Sequence, residues 1–228
     1  MTTSRSGTIP AGQRLDAACL ALQINLGTEQ KATLLEFVAQ LHKWNRTYNL
    51  TAIRDVDHAL VQHLFDSLSV IAPLQDWCDK NTRAAPKILD VGSGGGLPGV
   101  VLAIAMPGAQ VHCIDAVDKK ITFIRQKAGV LKLPNLAAIH ARVETIPPMS
   151  CDIVISRAFA SLEDFAKWSG QHVSLDGCLV AMKGKTPVEE MTALDQRGEW
   201  ITQRVQSLNV PELEAQRCLV WMHRKGKT

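Results

Sequence analysis

No apolar run in this chain of 228 residues is long enough to cross a bilayer. The longest, Leu97 to Met106, is interrupted by Pro98 and Gly99, whereas a membrane helix needs about 20 apolar residues. The N-terminus mixes Arg5, Gly7, Pro10, Arg14 and Asp16 and has no apolar core of signal-peptide length. The chain is therefore expected to stay in the cytoplasm, where it is made. Low-complexity tracts and internal repeats are absent. The six cysteines never form Cys-x-x-Cys and nearby histidines supply no missing ligands, so no metal site is expected. In apolar surroundings these thiols read as small buried hydrophobes of a reducing compartment. Aromatic residues make up only 5%, too few for a base-stacking platform of the single-strand-binding type. Neither sign of charge dominates: 25 Lys and Arg against 22 Asp and Glu leave +3, which permits a nucleic-acid partner without establishing one.

What is present is an ordinary globular composition, 46% hydrophobic, sized for one domain with an appendage. Residues 1–14 are expected to lack order. Residues 15–83 read as a helical extension: Leu34, Val38 and Leu41 share a face, and Leu60, Leu64, Leu68 and Ile71 recur at helical spacing after a candidate cap, Asp57. Between these helices, Trp44 to Thr51 reads as a helix end and a turn. From residue 84 to 228 short β-branched runs alternate with helical patterns. Lys87–Val91, Gln110–Asp115, Leu136–His140, Asp152–Ser156 and Cys178–Lys183 are the expected strands, with a helix over Asp118–Leu131. This alternation predicts an α/β domain with a mostly parallel sheet. Thr202–Leu208 and Arg217–Met222 are expected to close it as an antiparallel pair. Right-handed crossovers then gather the ligand-binding loops along one sheet edge.

The first of those loops, Asp90-Val91-Gly92-Ser93-Gly94-Gly95-Gly96, follows a buried strand. Its glycines let the backbone turn sharply and approach a ligand without Cβ interference. Two phosphate-binding motifs fail by position. A dinucleotide fingerprint begun at Gly92 requires glycine where Leu97 stands, and a P-loop ending at Gly184-Lys185-Thr186 requires glycine where Leu179 stands. What remains, acidic-x-Gly-x-Gly-x-Gly, resembles the first motif of class I (Rossmann-like) methyltransferases that use S-adenosylmethionine. Asp115 ends the next strand, where a carboxylate can accept ribose hydroxyls; a helix cap is the other reading of it.

Further phrases resemble one family. They are Leu41-His42-Lys43-Trp44-Asn45, Tyr48-Asn49-Leu50-Thr51, Arg54-Asp55, His63-Leu64-Phe65-Asp66-Ser67, Leu97-Pro98-Gly99, Ile155-Ser156-Arg157-Ala158-Phe159-Ala160 and Met182-Lys183-Gly184. In this order they are similar to the GidB (RsmG) family, which methylates N7 of a guanine in the 530 loop of 16S ribosomal RNA. The resemblance implies S-adenosyl-L-methionine as cofactor and 16S ribosomal RNA or the small subunit as partner. A monomer without membrane attachment is expected. In the cofactor site it implies the loop residues Asp90, Gly92, Gly94, Gly96 and Leu97, with Asp115 at the ribose. Val143 and Glu144 would sit at the adenine, and Arg157 would meet the cofactor at the fourth strand.

Guanine N7 carries a lone pair and no proton, so its methylation needs alignment more than a general base, and orientation can be worth roughly 7–11 kcal/mol. Absences agree. There is no Pro-Cys step for cytosine C5 chemistry, and Ser156-Arg157-Ala158-Phe159 stands where amino-group methyltransferases commonly carry Asn/Asp-Pro-Pro-aromatic. Arg157 can pair with the cofactor's methionine carboxylate or hold a phosphate or guanine edge; a structural ion pair to Asp152 or Glu163 is the alternative. Lys183 is a second candidate at the reacting centre. Arg54, His63 and Lys185 are candidate RNA contacts, although His63 and Asp66 can also bond each other across a helical turn. Trp44 and Tyr48 are expected to pack the extension on the sheet, and the basic tail His223 to Lys227 can touch phosphates. Two other functions remain open: a methyltransferase of this class acting on a small molecule or protein, and a non-catalytic adenosine-binding module.

Overall fold

The structure, a computed structural model, describes residues 9–226. The helices α1 (Ala11–Ala21), α2 (Thr28–Tyr48) and α3 (Val56–Ala59) come first. A π-helical turn over Leu60–Phe65 joins α3 to α4 (Asp66–Leu68), and α5 (Ile71–Lys80) ends the extension. Then follow β1 (Lys87–Val91), α6 (Gly99–Ala105), β2 (Gln110–Asp115), α7 (Asp118–Val130), β3 (Leu136–His140), a 3-10 turn (Val143–Thr145) and β4 (Cys151–Arg157). After α8 (Leu162–Ser169) come β5 (Val173–Lys183), α9 (Val188–Arg197), β6 (Trp200–Leu208) and β7 (Arg217–Arg224).

The strands form one seven-stranded sheet in the order β3-β2-β1-β4-β5-β7-β6. The first five are parallel, while β7 runs antiparallel to both β5 and β6. The order reverses at β1, so the loops after β1 and β4 open a crevice at the sheet's C-terminal edge. Central β1 is buried from Ile88 to Val91, the near-continuous apolar run of a strand covered on both faces. One apolar cluster runs from Leu15 and Phe37 of the extension through Val100 and Phe123 to Trp221 of β7. All six cysteines are buried free thiols, and no described helix is long and apolar enough to cross a membrane.

Several local expectations need correction. Of the stretch expected to lack order, residues 11–14 are helical, and Arg14 bonds Asp57 (2.6 Å) and Glu212 (2.6 Å); residues 1–8 lie outside the described chain. The α3 cap is Asp55, whose carboxylate accepts the His58 amide at 2.8 Å, because Asp57 is taken up by Arg14. Strand β5 begins at Val173 rather than Cys178; exposed Leu175 and Gly177 hide its start by breaking the alternation. Trp44 packs on Phe123 of α7, centroids 5.4 Å apart, so the extension's aromatic contact is with a helix and not the sheet. In the tail, Arg224 is structural: it donates to the Gly170 carbonyl at 2.7 Å and stacks on Trp200, while Lys227 lies outside the described residues.

Candidate active site

The glycine loop leaves β1 as a tight turn. The Gly92 and Ser93 amides donate to the Ile114 carbonyl (2.9 and 3.1 Å), and the Gly96 and Leu97 amides donate back to Ser93 (2.8 and 2.9 Å). Gly92 has φ +68° and lies against Phe159; a Cβ there would come within 2.8 Å of the ring. Asp90 is wholly buried beneath the loop and accepts the amide of Gly99, the first residue of α6, at 2.7 Å. The protein's own carboxylate therefore occupies the helix N-terminus where a dinucleotide fold would seat a phosphate. Burial pushes this carboxyl up to about 7, against the opposing pull of the Gly99 amide and the Arg157 charge.

A cavity of about 370 Å³ opens above this loop. Gly92, Asp115, Val143 and Glu144 line it, together with Phe159 and Trp168. Asp115 Oδ2 accepts the Gly94 amide (2.9 Å) and Oδ1 the Val117 amide (2.8 Å), with Lys120 Nζ at 3.7 Å. Each oxygen keeps a further lone pair for a ligand hydroxyl, so tying down the α7 entry and binding a ribose are compatible uses. The Val143 carbonyl is held by His172 Nε2 at 2.8 Å, which fixes the opposite wall. Phe159 stands edge-on to Phe165 and Trp168, centroids 6.0 and 5.8 Å away.

A second cavity, about 490 Å³, lies between the β4 and β5 ends and the extension. Its floor is an arginine–carboxylate–arginine arrangement. Asp66 Oδ2 accepts Arg157 Nη1 at 3.1 Å and Oδ1 accepts Arg217 Nε at 2.9 Å, with the Asp66 side chain only 5% exposed. Arg157 Nη1 also donates to the Gln62 carbonyl at 3.0 Å, in the π-helical turn, a feature common where a helix serves a site. His63 also lines this cavity; its Nε2 meets Thr51 Oγ1 at 2.8 Å, and burial, aided by Arg157, pushes it down to about 4. Ala158, at φ 52°, is the one residue that lines both cavities.

The proposed site residues divide accordingly. Gly92, Asp115, Val143 and Glu144 reach the glycine-loop cavity, whereas Asp90, Gly94, Gly96 and Leu97 build the turn beneath it. Arg157 belongs to the arginine cavity, paired to Asp66 rather than to Asp152 or Glu163, because β4 ends facing the extension. His63 bonds Thr51 and not Asp66, whose oxygens both arginines take. Lys183 lines the arginine cavity while donating to the Ala160 carbonyl (3.0 Å) and Glu190 (2.8 Å). Lys185 is exposed beyond it, and Arg54 lines a separate cleft on the extension. Sequence reasoning passed over Arg217 and gave Asp66 and Phe159 no site role. The aromatic step after Arg157 was a usable signal for Phe159; Arg217 offered none.

The family described as GidB, rRNA small subunit methyltransferase G, matches residues 30–220. The chain belongs to this family. It is 58% identical over 223 residues, 98% of this chain and 86% of the relative, to the ribosomal RNA small subunit methyltransferase G of Bordetella petrii. To its counterpart in Bordetella avium it is 56% identical, over 96% of each chain. Among solved structures it resembles an S-adenosylmethionine-dependent methyltransferase from Aquifex aeolicus (TM-score 0.51, 16% identity, 69% of this chain and 92% of that one). A 16S rRNA (adenine(1408)-N(1))-methyltransferase from Catenulisporales acidiphilia is similar at TM-score 0.51 and 16% identity, over 66% and 90% of the two chains. At such identities the likeness speaks for the fold, that of class I methyltransferases.

Proposed function

We propose that this chain transfers a methyl group from S-adenosyl-L-methionine to N7 of a guanine in the 530 loop of 16S ribosomal RNA. Its reaction class follows from family membership: it is an S-adenosylmethionine-dependent methyltransferase of small-subunit ribosomal RNA. The residues present fit that donor. Asp115 offers hydroxyl acceptors at the cavity wall, and the Gly92 backbone lines the same cavity without a side chain in the way. When bound, the cofactor supplies a methyl on a sulfonium, already a strong electrophile. Gly92 and Asp115 orient the donor side, Val143 and Glu144 take the adenine, and Ala158 stands where donor and acceptor sides meet.

The observation that carries the acceptor is the chemistry of the arginine cavity. Its one carboxylate, Asp66, is neutralised by Arg157 and Arg217, and its histidine is held neutral. Both Asp66 oxygens are taken by arginines, and His63 is a weakened base whose Nε2 meets Thr51 Oγ1, so the cavity presents no strong base, which suits a nucleophile with an exposed lone pair and no proton to lose. Guanine O6 is an acceptor that the Arg157, Arg217 and Lys183 donors of this wall can hold, leaving the N7 lone pair free to face the methyl group. Adenine would turn an amino group toward these cations. Arg157 and Lys183 therefore position the base; neither moves a proton.

We take residues 15–83 as the RNA-docking extension and 84–228 as the transferase unit, acting as a monomer in the cytoplasm. Transfer of labelled methyl to small subunits, naked ribosomal RNA and protein fractions tests the reading. Label is expected in RNA, with strand scission at the modified base reporting N7. Label in protein or small molecules and never in RNA would overturn it; cofactor binding without transfer would leave a binding module.

A further inference from the structure

Apart from both cavities, the extension carries a cleft of about 260 Å³ lined by His42, Asn45, Arg46 and Arg54. No carboxylate lines it. The neighbouring acid, Asp55, is engaged in capping α3 at His58. Several other cations of the extension have carboxylate partners: Arg14 with Asp57 and Glu212, Lys31 with Asp16, Lys80 with Asp76. Arg46 and Arg54 are exposed and have no ion-pair partner among the described residues. Two arginines on one concave surface that no carboxylate lines offer an anion a charge-assisted, forked set of donors.

The cleft is also held in shape. Asn45, nearly buried, accepts the Thr51 amide at 2.7 Å and donates to the Ile53 carbonyl at 2.8 Å. The turn it braces separates the cleft from the arginine cavity, since Thr51, Ala52 and Ile53 line the cavity and Arg54 lines the cleft. Consecutive Cα atoms are about 3.8 Å apart, so the two depressions share one strip of backbone. A polyanion whose base entered the cavity would carry its neighbouring phosphate across that strip.

The geometry points to the His42–Arg46–Arg54 cleft as a binding site for a backbone phosphate of the RNA, flanking the nucleotide whose base enters the arginine cavity. This rests on the RNA reading above and adds to it a second anchoring point, which fixes the direction in which the strand crosses the extension. Phosphate contacts of this kind set register and orientation, while the cavity reads the base.

The full-length protein and its Arg46→Ala/Arg54→Ala variant, titrated against a fluorescently labelled 16S ribosomal RNA fragment by anisotropy at several salt concentrations, test the site. One lost phosphate contact should weaken binding on the order of tenfold near 0.1 M salt and flatten the plot of log K against log salt by about 0.7–0.9. Melting temperature and cofactor affinity should be unchanged, and Arg46→Lys/Arg54→Lys should recover most of the affinity. Wild-type affinity and slope in the alanine variant would overturn the cleft. Wild-type protein that neither binds nor methylates the fragment or the small subunit would instead overturn the RNA reading itself.

Discussion

The two cavities that meet at Ala158 are built in different ways. The glycine-loop side takes its parts from short stretches at the ends of successive parallel strands: the turn after β1, Asp115 at the end of β2, Val143 and Glu144 after β3. The arginine side is assembled across the chain. Asp66 comes from the extension, Arg157 from β4, and Arg217 from the start of β7, 151 residues from the carboxylate it holds. The first is a backbone device whose side chains mostly support a turn; the second is an electrostatic device that exists only after the extension docks on the sheet. A donor common to many enzymes can be held by a local motif, while the acceptor wall can vary with whatever element is packed on the sheet edge.

This contrast predicts unequal costs of mutation. Asp66→Ala strands two partly buried guanidinium groups, and breaking such an arrangement should cost about 3 kcal/mol in urea unfolding. Arg157→Ala, which leaves Arg217 on the carboxylate, should cost less. A loss for Asp66→Ala under about 1 kcal/mol would put the pairing at the level of surface salt bridges and remove the claim that it builds the wall. On the other side, Asp115→Ala should weaken cofactor binding by roughly 1.5–3 kcal/mol in a calorimetric titration, through loss of charge-assisted hydrogen bonds. Unchanged affinity would take Asp115 out of the donor site.

The same division explains what could be read in advance. Strands β1, β2 and β3 lie where residue pattern alone places them, because each is a short, largely apolar run bounded by turn residues. The glycine loop and Asp115 are legible for the same reason: strand, turn and helix are contiguous. Arg217 is not, since its role depends on β7 pairing with β5, a contact no local periodicity encodes. The alternative pairing of His63 with Asp66 does not form, because Leu60–Phe65 is π-helical and alters the spacing on which an i,i+3 pairing relies. Arg157 is readable as a site residue from its phrase, but its partners Asp66 and Gln62 come from the docked extension and are not encoded next to it in sequence.

Acid titration should also separate the sides, because their buried groups shift in opposite senses. Burial raises Asp90 from 3.8 to about 7, so between these values the folded state holds more protons than the unfolded chain, and stability falls as pH rises through about 7. Burial lowers His63 from 6.5 to about 4, so there the unfolded chain holds more protons, and stability is lost as pH falls from 6.5 through about 4. Asp90→Asn should remove the decline toward neutral pH and leave the acid-side loss, while His63→Gln should do the reverse, each moving melting temperature by a few degrees. Parallel curves for both variants would show that neither group titrates with folding.

The smallest effect concerns the boundary itself. Gly92→Ala places a β-carbon at φ +68° and drives it against the Phe159 ring, so it combines a backbone cost of about 1 kcal/mol with a steric one. Only the steric part can be relieved from the other residue. Phe159→Ala in the Gly92→Ala background should therefore recover stability, giving a coupling on the order of 1 kcal/mol in a double-mutant cycle. The ring hangs from the loop that leaves β4 after Arg157 and also carries Ala158, so this coupling measures how firmly the two sides are joined. Additive effects would mean that Phe159 swings clear of the loop at little cost, and that the wall between the cavities is a movable partition.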